Sequence, residues 1–296
     1  MRIAILSTTK LPKFLGDNHP DEDSLFAEDE VLRDAFAQRG AHADRVSWRP
    51  DGTDWRQYDL VLVRSTWDYI DDLPVFLARM EEIESAAGLL INPGATIRWN
   101  ATKRYLTALD GLGLPVVPAV FSEPGDDIAT ACGALPEFGS GYVLKPIVGV
   151  GASGTRRVYD RDSLSAVLAA PTRQETCILQ PFLASVAEEG EWSFVFGAGR
   201  FLYAALKTPK PGDFRVQVMY GARTLERTPV LADLAAATAC YCALPVSAPF
   251  ARIDMARMPD GRLALMEAEL IEPQLFFFDV PRAAGLVADA AISLLP

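Results

Sequence analysis

Apolar residues run unbroken from Ile3 to Leu6, recur at near-helical spacing at Leu25, Leu32 and Phe36 before Gly40, alternate with polar ones over residues 42–48, and run unbroken again from Leu60 to Val63. Short unbroken runs predict strands buried on both faces, and the spacing closed by a glycine predicts a helix. A further run at 89–91 stops at Asn92-Pro93-Gly94. The resulting β-α-β-β-α-β succession predicts an open, mostly parallel sheet flanked by helices. Ligands of such sheets gather beyond the carboxyl ends of the strands, which puts residues 7–10 and Arg64-Ser65-Thr66-Trp67-Asp68-Tyr69 at the mouth.

Beyond Asn100 the pattern predicts a helix carrying Lys103, Tyr105, Leu106 and Leu109, ending at Gly111 or Gly113, with Pro115 and Pro118 marking a junction. Strands follow at 142–146, 155–159 and 176–182, with a glycine-rich turn after the first and a helix near 163–170. The remainder alternates strands at 191–196, 200–206 and 215–219 with a helix at 231–244 and strands at 250–255 and 263–268. The expected fold class is therefore α/β and α+β: an N-terminal open parallel α/β domain over 1–98, then two α+β units over 99–182 and 183–296.

With 296 residues, half of them hydrophobic, the chain can bury a sizeable core. Its 39 acidic against 28 basic residues give a formal charge of −11, so no bulk field draws it to nucleic acid or an anionic membrane, and any phosphate must be held locally. His19 and His42 are the only histidines, which leaves almost nothing for a Ser-His-Asp relay or a His-rich zinc site. His19 lies in an acidic loop, 16–23, where a surface role is expected. Cys132, Cys177, Cys240 and Cys242 form no C-x-x-C pair and read as reduced packing residues. The first residues read as a strand rather than a leader, and the longest uncharged stretch, 234–251, is broken by Pro245 and Pro249. A cytoplasmic protein with neither membrane nor nucleic-acid partner is expected.

Chemistry then has to rest on Lys, Arg, Asp and Glu. Gly149-Val150-Gly151-Ala152-Ser153-Gly154 follows a strand bearing Lys145 and leads into another strand, so it is neither a dinucleotide fingerprint nor a P-loop. It is either an ordinary flexible turn or a flap whose backbone N–H groups line an oxygen-rich ligand. Lys145, in an apolar strand, must snorkel or meet an anion. Near the C-terminus Arg252 and Asp254 share one strand face, as do Glu267 and Glu269 across a turn at Pro259-Asp260-Gly261. The three carboxylates either spread in solvent or hold Mg²⁺, a hard cation that takes carboxylate and phosphate oxygens.

Asn100-Ala-Thr-Lys103, Val143-Leu-Lys145-Pro, the glycine run, Leu179-Gln-Pro-Phe-Leu183, Glu188 to Glu191, Lys207, Asp213-Phe-Arg215, Arg252-Ile-Asp254 and Glu267-Ala-Glu269 stand in an order that resembles the ATP-grasp ligases along the whole chain. The resemblance implies an ATP-grasp fold in which two α+β subdomains clasp ATP. It implies that Lys103 and Lys145 hold the α/β phosphates under the loop of Gly149, Gly151, Ser153 and Gly154. Gln180, Pro181, Phe182 and Leu183 would read adenine, and Glu188 or Glu191 the ribose. Lys207 would lie near the γ-phosphate, with Arg215 and Arg252 steadying the transferred phosphoryl group. Asp254, Glu267 and Glu269 would hold two Mg²⁺; many relatives carry Asn at the position of Glu269. Such an enzyme converts a carboxylate to an acyl phosphate that an amine displaces.

At the mouth, Arg64 and Asp68 are candidates to clasp a small amino-acid-like substrate, beside Ser65 and with Trp67 and Tyr69 as walls, unless the aromatics simply pack; Glu272 and Gln274 add polar contacts. The compact length, the Arg64–Tyr69 segment and the run from Glu267 to Phe277 look most like a small group of amino-acid ligases that includes the D-cycloserine synthetases. That likeness implies ring closure of O-amino-D-serine by its own aminooxy nitrogen. A two-substrate ligase of glutathione synthetase or RimK type, and a non-catalytic nucleotide-binding regulator, are the rivals. Apolar helix faces over 286–295 are expected to be exposed and to permit a homodimer.

Overall fold

The computed structural model describes residues 1–8, 26–49, 52–126, 133, 135–136, 138, 141–168 and 175–296. His19 with its loop at 16–23, Lys10 and Cys132 lie outside the described residues.

The first sheet is parallel and has the order β2-β1-β3-β4, formed by β1 (Arg2–Ser7), β2 (His42–Ser47), β3 (Leu60–Val63) and β4 (Leu90–Ile91). Helix α1 (Ala27–Ala37) joins β1 to β2, and α2 (Leu73–Ala86) joins β3 to β4. β1 and β3 are adjacent, and their following connections lead to opposite sides of the sheet, so the switch point lies beyond Ser7 and Val63, at the expected mouth. β3 is buried on every residue, as its unbroken apolar run requires.

Two antiparallel sheets follow. The second has the order β5-β8-β6-β7, from β5 (Val120–Ser122), β6 (Tyr142–Pro146), β7 (Arg156–Val158) and β8 (Cys177–Pro181), with the short helix α5 (Arg161–Leu168) over it. The third has the order β11-β10-β9-β12-β13, from β9 (Glu191–Gly197), β10 (Arg200–Thr208), β11 (Arg223–Glu226), β12 (Phe250–Arg257) and β13 (Leu263–Glu269). Helices α3 (Gly94–Asn100) and α4 (Tyr105–Gly111) lead from the first sheet, α6 (Ala184–Glu188) precedes β9, and α7 (Leu231–Cys242) packs on the third sheet.

Three expectations are corrected. Lys103 is not on a helix; it sits in the turn between α3 and α4, and its N–H bonds the Ile147 carbonyl beyond β6. Residues 215–219 are not a strand: Arg215 is held by Asp213, Val216 is buried in one apolar cluster with Leu183, and Val218–Tyr220 make a 3₁₀ turn, so the pairing strand is β11. The C-terminal helix α8 (Ala283–Ile292) is not an exposed apolar face. Val287, Ala288 and Ala291 are buried where the helix packs on α1 and on β9 and β10 of the third sheet, and Leu286, Leu294 and Leu295 pack at the margin of that core. No helix among the described residues is long and apolar enough to cross a membrane.

Candidate active site

The third sheet carries the charged residues on one face because strand residues two apart point the same way. Antiparallel pairing of β12 with β13 sets Asp254 opposite Glu267 and Arg252 opposite Glu269, and pairing with β9 sets Asp254 opposite Ser193. Asp254 is buried and accepts from Ser193 Oγ at 2.6 Å, Arg252 Nη2 at 2.7 Å and Lys207 Nζ at 3.1 Å. Burial alone would raise its pKa; Arg252 and Lys207 more than reverse that and hold it below the usual carboxylate range. Lys207 also meets Glu191 at 2.5 Å, and Arg252 pairs with Glu269.

Lys103 reaches across to Glu267, whose charge and hydrogen bond outweigh desolvation and raise the lysine's pKa. Lys145 differs. It projects from β6 toward β13, and its Nζ meets the Met266 thioether at 3.6 Å; desolvation, helped by the nearby Lys103 charge, lowers its pKa. A half-buried ammonium against a thioether is a site prepared for an anion. The hairpin beyond it turns through three positive φ values, Gly151 at 60°, Ala152 at 57° and Gly154 at 70°, which bring backbone N–H groups round a tight loop. Val148 and Val150 of the same loop pack on the core of the first domain.

Gln180 and Pro181 end β8 within the second sheet, the Phe182 N–H donates to the Gly141 carbonyl, and Leu183 is buried in one apolar cluster with Val216. Phe182 carries the Arg157 guanidinium over its ring and meets Phe214 edge-on. Glu188 is exposed on α6, whereas Glu191 is buried against Lys207. Arg215 stands on Asp213, with Nη2 to Oδ2 at 2.8 Å, and its guanidinium lies 3.6 Å from the centre of the Tyr220 ring.

The mouth residues divide. Asp68 does not face a ligand: it is wholly buried and accepts from Trp48 Nε1 at 2.6 Å and from Arg49. Arg64 is likewise turned inward, donating to the Pro273 carbonyl and pairing with Glu28 at 3.1 Å. A clasp built from these two is therefore set aside. Ser65 donates to the buried Asp29 at 3.0 Å, and Trp67 stacks on Phe26. Tyr69 packs on Phe76, but its phenol is pushed well above its usual pKa by burial and then by the charge of Glu272, which puts it beside the carboxylate face. Sequence reading missed Glu28 and Asp29, whose only signal was a run of three acids opening a helix, and Asn92, which bonds the backbone of Phe250 and Leu270.

Among the described residues no three acidic, His or Cys side chains are already arranged to hold a metal ion, because Glu267, Glu269 and Asp254 are turned onto Lys103, Arg252 and Lys207. The donor set nonetheless fits Mg²⁺, being all carboxylate oxygen. Burial pushes Glu269 up to about 7, and burial with the Glu269 charge pushes Glu272 up to about 8.

A parallel α/β domain followed by two antiparallel sheets that meet over lysines, arginines and carboxylates defines an ATP-grasp ligase. The solved D-alanine–D-alanine ligase of Bacillus anthracis, complexed with ATP, shares this fold at 17% identity and a TM-score of 0.67 over 99% of this chain and 96% of that one. The family described as D-cycloserine synthetase DcsG, N-terminal domain, matches residues 3–92. The cycloserine biosynthesis protein DcsG of Streptomyces lavendulae is 30% identical over 265 residues, 82% of this chain and 86% of its own. The crystal structure of D-cycloserine synthetase DcsG superposes at a TM-score of 0.82 with 25% identity, each chain covered in full. The chain belongs to the DcsG family of ATP-grasp enzymes, and it is an ATP-dependent, ADP-forming C–N ligase.

Proposed function

We propose that this ligase closes O-amino-D-serine to D-cycloserine in antibiotic biosynthesis. The 30% identity to a cycloserine biosynthesis protein over most of both chains carries the reading, and the Lys- and Arg-lined carboxylate face supports it. A carboxylate oxygen attacks the γ-phosphorus of ATP, the bond to the β-phosphate oxygen breaks, and ADP leaves. The aminooxy nitrogen of the same molecule then attacks the acyl carbon; the C–N bond forms, the C–O bond to phosphate breaks, and the departing phosphate takes the nitrogen's proton. Intramolecular attack by a well-held nucleophile gains effective molarities of about 10⁵–10⁸ M.

In this reading Lys103 and Lys145 hold the α/β phosphates beneath Gly149, Gly151, Ser153 and Gly154. The segment from Gln180 to Leu183 receives adenine, and Glu188 or Glu191 the ribose. Lys207, Arg215 and Arg252 neutralise the transferring phosphoryl group. Asp254, Glu267 and Glu269 hold two Mg²⁺, which when bound supply positive charge to the phosphate oxygens. Ser65, Trp67, Tyr69 and Glu272 face the amino acid, residues 1–98 forming the substrate side and 99–182 and 183–296 the clasp.

ADP release with ATP and Mg²⁺ tests this against D- and L-amino acids, singly and in pairs. O-amino-D-serine alone should release ADP and yield the five-membered ring, read by mass. No ADP and no ring product would sink the proposal, and turnover with pairs only would make the enzyme a two-substrate ligase.

A further inference from the structure

The chain between β13 and α8 is gripped from two sides at residues 273–277. From the third sheet, Arg252 Nη1 donates to the Gln274 carbonyl at 2.9 Å and Tyr203 Oη to the Leu275 carbonyl at 2.7 Å. From the first domain, the two oxygens of Glu28 accept the Leu275 N–H at 3.2 Å and the Phe277 N–H at 2.9 Å. Arg64 donates to the Pro273 carbonyl and to Glu28, and its guanidinium lies 5.5 Å from the Phe277 ring centre. Between these grips stands Phe276, 1% exposed, with φ at 58°, in the left-handed region that a bulky L side chain avoids. Such a conformation persists only where the surroundings over-determine it. Arg252 lies 5.4 Å from the Phe276 ring centre, so its guanidinium touches the strained strap through both a carbonyl and an aromatic face.

We propose that Glu28 and Arg64 are positioning residues, which fix the strap at 273–277 and, through the Gln274 carbonyl and Phe276, set the guanidinium of Arg252 in the active site. This rests on the reading of Arg252 as a group that steadies the transferred phosphoryl. Glu28 does not have to reach the reacting atoms. Removing its carboxylate leaves the Leu275 and Phe277 N–H groups without their acceptor and Arg64 with the Pro273 carbonyl alone, and the strap is then free to relax away from the conformation that holds Gln274. Arg252 keeps Asp254 and Glu269 but loses the contacts that fix the orientation of its other edge.

The test uses the full chain labelled with ¹⁵N-arginine, in which the Arg252 side-chain N–H signal is assigned by its loss in R252K. In folded E28A that signal should shift, kcat for ADP release should fall about tenfold or more, and KM for ATP should stay within about twofold, since ground-state nucleotide contacts are untouched. E28Q, which keeps one acceptor oxygen, should recover part of both. R262Q, which removes an exposed pair with Asp260, should change neither. If E28A does not fold, R64K carries the same readouts, because it keeps the charge but loses the guanidinium fork. An unaltered Arg252 signal, or a shifted signal with unaltered kcat, overturns the proposal. If O-amino-D-serine gives no turnover with the wild-type protein, that counts against the proposed substrate alone; kcat is then read with whichever panel substrate turns over, and if none does the Arg252 signal decides.

Discussion

Asn92 and Asn100 grip Leu270 from opposite sides: Asn92 Nδ2 donates to the Leu270 carbonyl at 2.7 Å, and Asn100 Oδ1 accepts the Leu270 N–H at 2.9 Å. Asn100 Nδ2 also donates to the Ala268 carbonyl at 2.8 Å, so its amide spans the backbone on either side of Glu269. Replacing it by alanine leaves a buried N–H and a carbonyl unpaired at the end of β13, at a cost of about 1–3 kcal/mol. N100A should lower the thermal midpoint and, because Glu267 and Glu269 lose their fixed backbone, reduce turnover as well. N92A should show a comparable loss of stability, its amide bonding Phe250 and Leu270 at three points. Wild-type unfolding and wild-type ADP release in N100A would rule this out.

Asp254 is the acceptor on which Arg252, Lys207 and Ser193 converge. Substituting one member of a buried pair leaves its partners uncompensated and costs about 3–5 kcal/mol. D254N should therefore unfold at markedly lower temperature and lose ADP release. Because the folded carboxyl is held below its unfolded value, its stabilisation is present above about pH 4 and lost as pH falls through the folded pKa. Acid unfolding followed by circular dichroism should consequently show a shallower decline in D254N than in the wild type.

Much of the fold was legible because burial writes itself into the pattern: the four apolar residues of β3 and the paired Glu267 and Glu269 of β13 could be placed from spacing alone. Arg64 and Asp68 show where such reading stops. Both stand at the carboxyl end of a strand, where ligands gather, yet their charges are satisfied by Glu28 and by Trp48 and Arg49, residues distant along the sequence that only the folded chain brings near. The turn holding Lys103 and the irregular segment around Arg215 were missed for a related reason. Their conformations follow from a bond to Ile147 and a pair with Asp213 rather than from local propensity. The strained Phe276 carries no sequence signal at all.

Asp29 makes a pH prediction. Burial, only partly offset by Arg64 and Ser65, raises its pKa from 3.8 to about 6, and its Oδ2 has no partner among the described residues. An acid with a raised folded pKa destabilises the fold as pH rises from its unfolded toward its folded value, here between about 4 and 6, by up to about 3 kcal/mol. Above that window the penalty is constant. D29N keeps an acceptor for Ser65 and carries no charge, so its thermal midpoint should match the wild type near pH 4 and exceed it at pH 7.5. A difference of the same size at both pH values would place the effect elsewhere.

Lys103 and Lys145 should part company when each is replaced by methionine. Lys103 neutralises the half-buried Glu267, so K103M strands a carboxylate and should lower the thermal midpoint. Lys145 faces the Met266 thioether and is desolvated, so K145M removes a half-buried charge while Glu267 keeps Lys103, and the midpoint should stay level or rise. If both hold phosphate oxygens, each loses a charged hydrogen bond of about 1.5–3 kcal/mol, which corresponds to roughly 10- to 150-fold weaker binding of Mg-ATP by titration calorimetry. Equal destabilisation by the two substitutions would show that Lys145 is already paired, and undiminished ATP affinity in K145M would remove it from the nucleotide site.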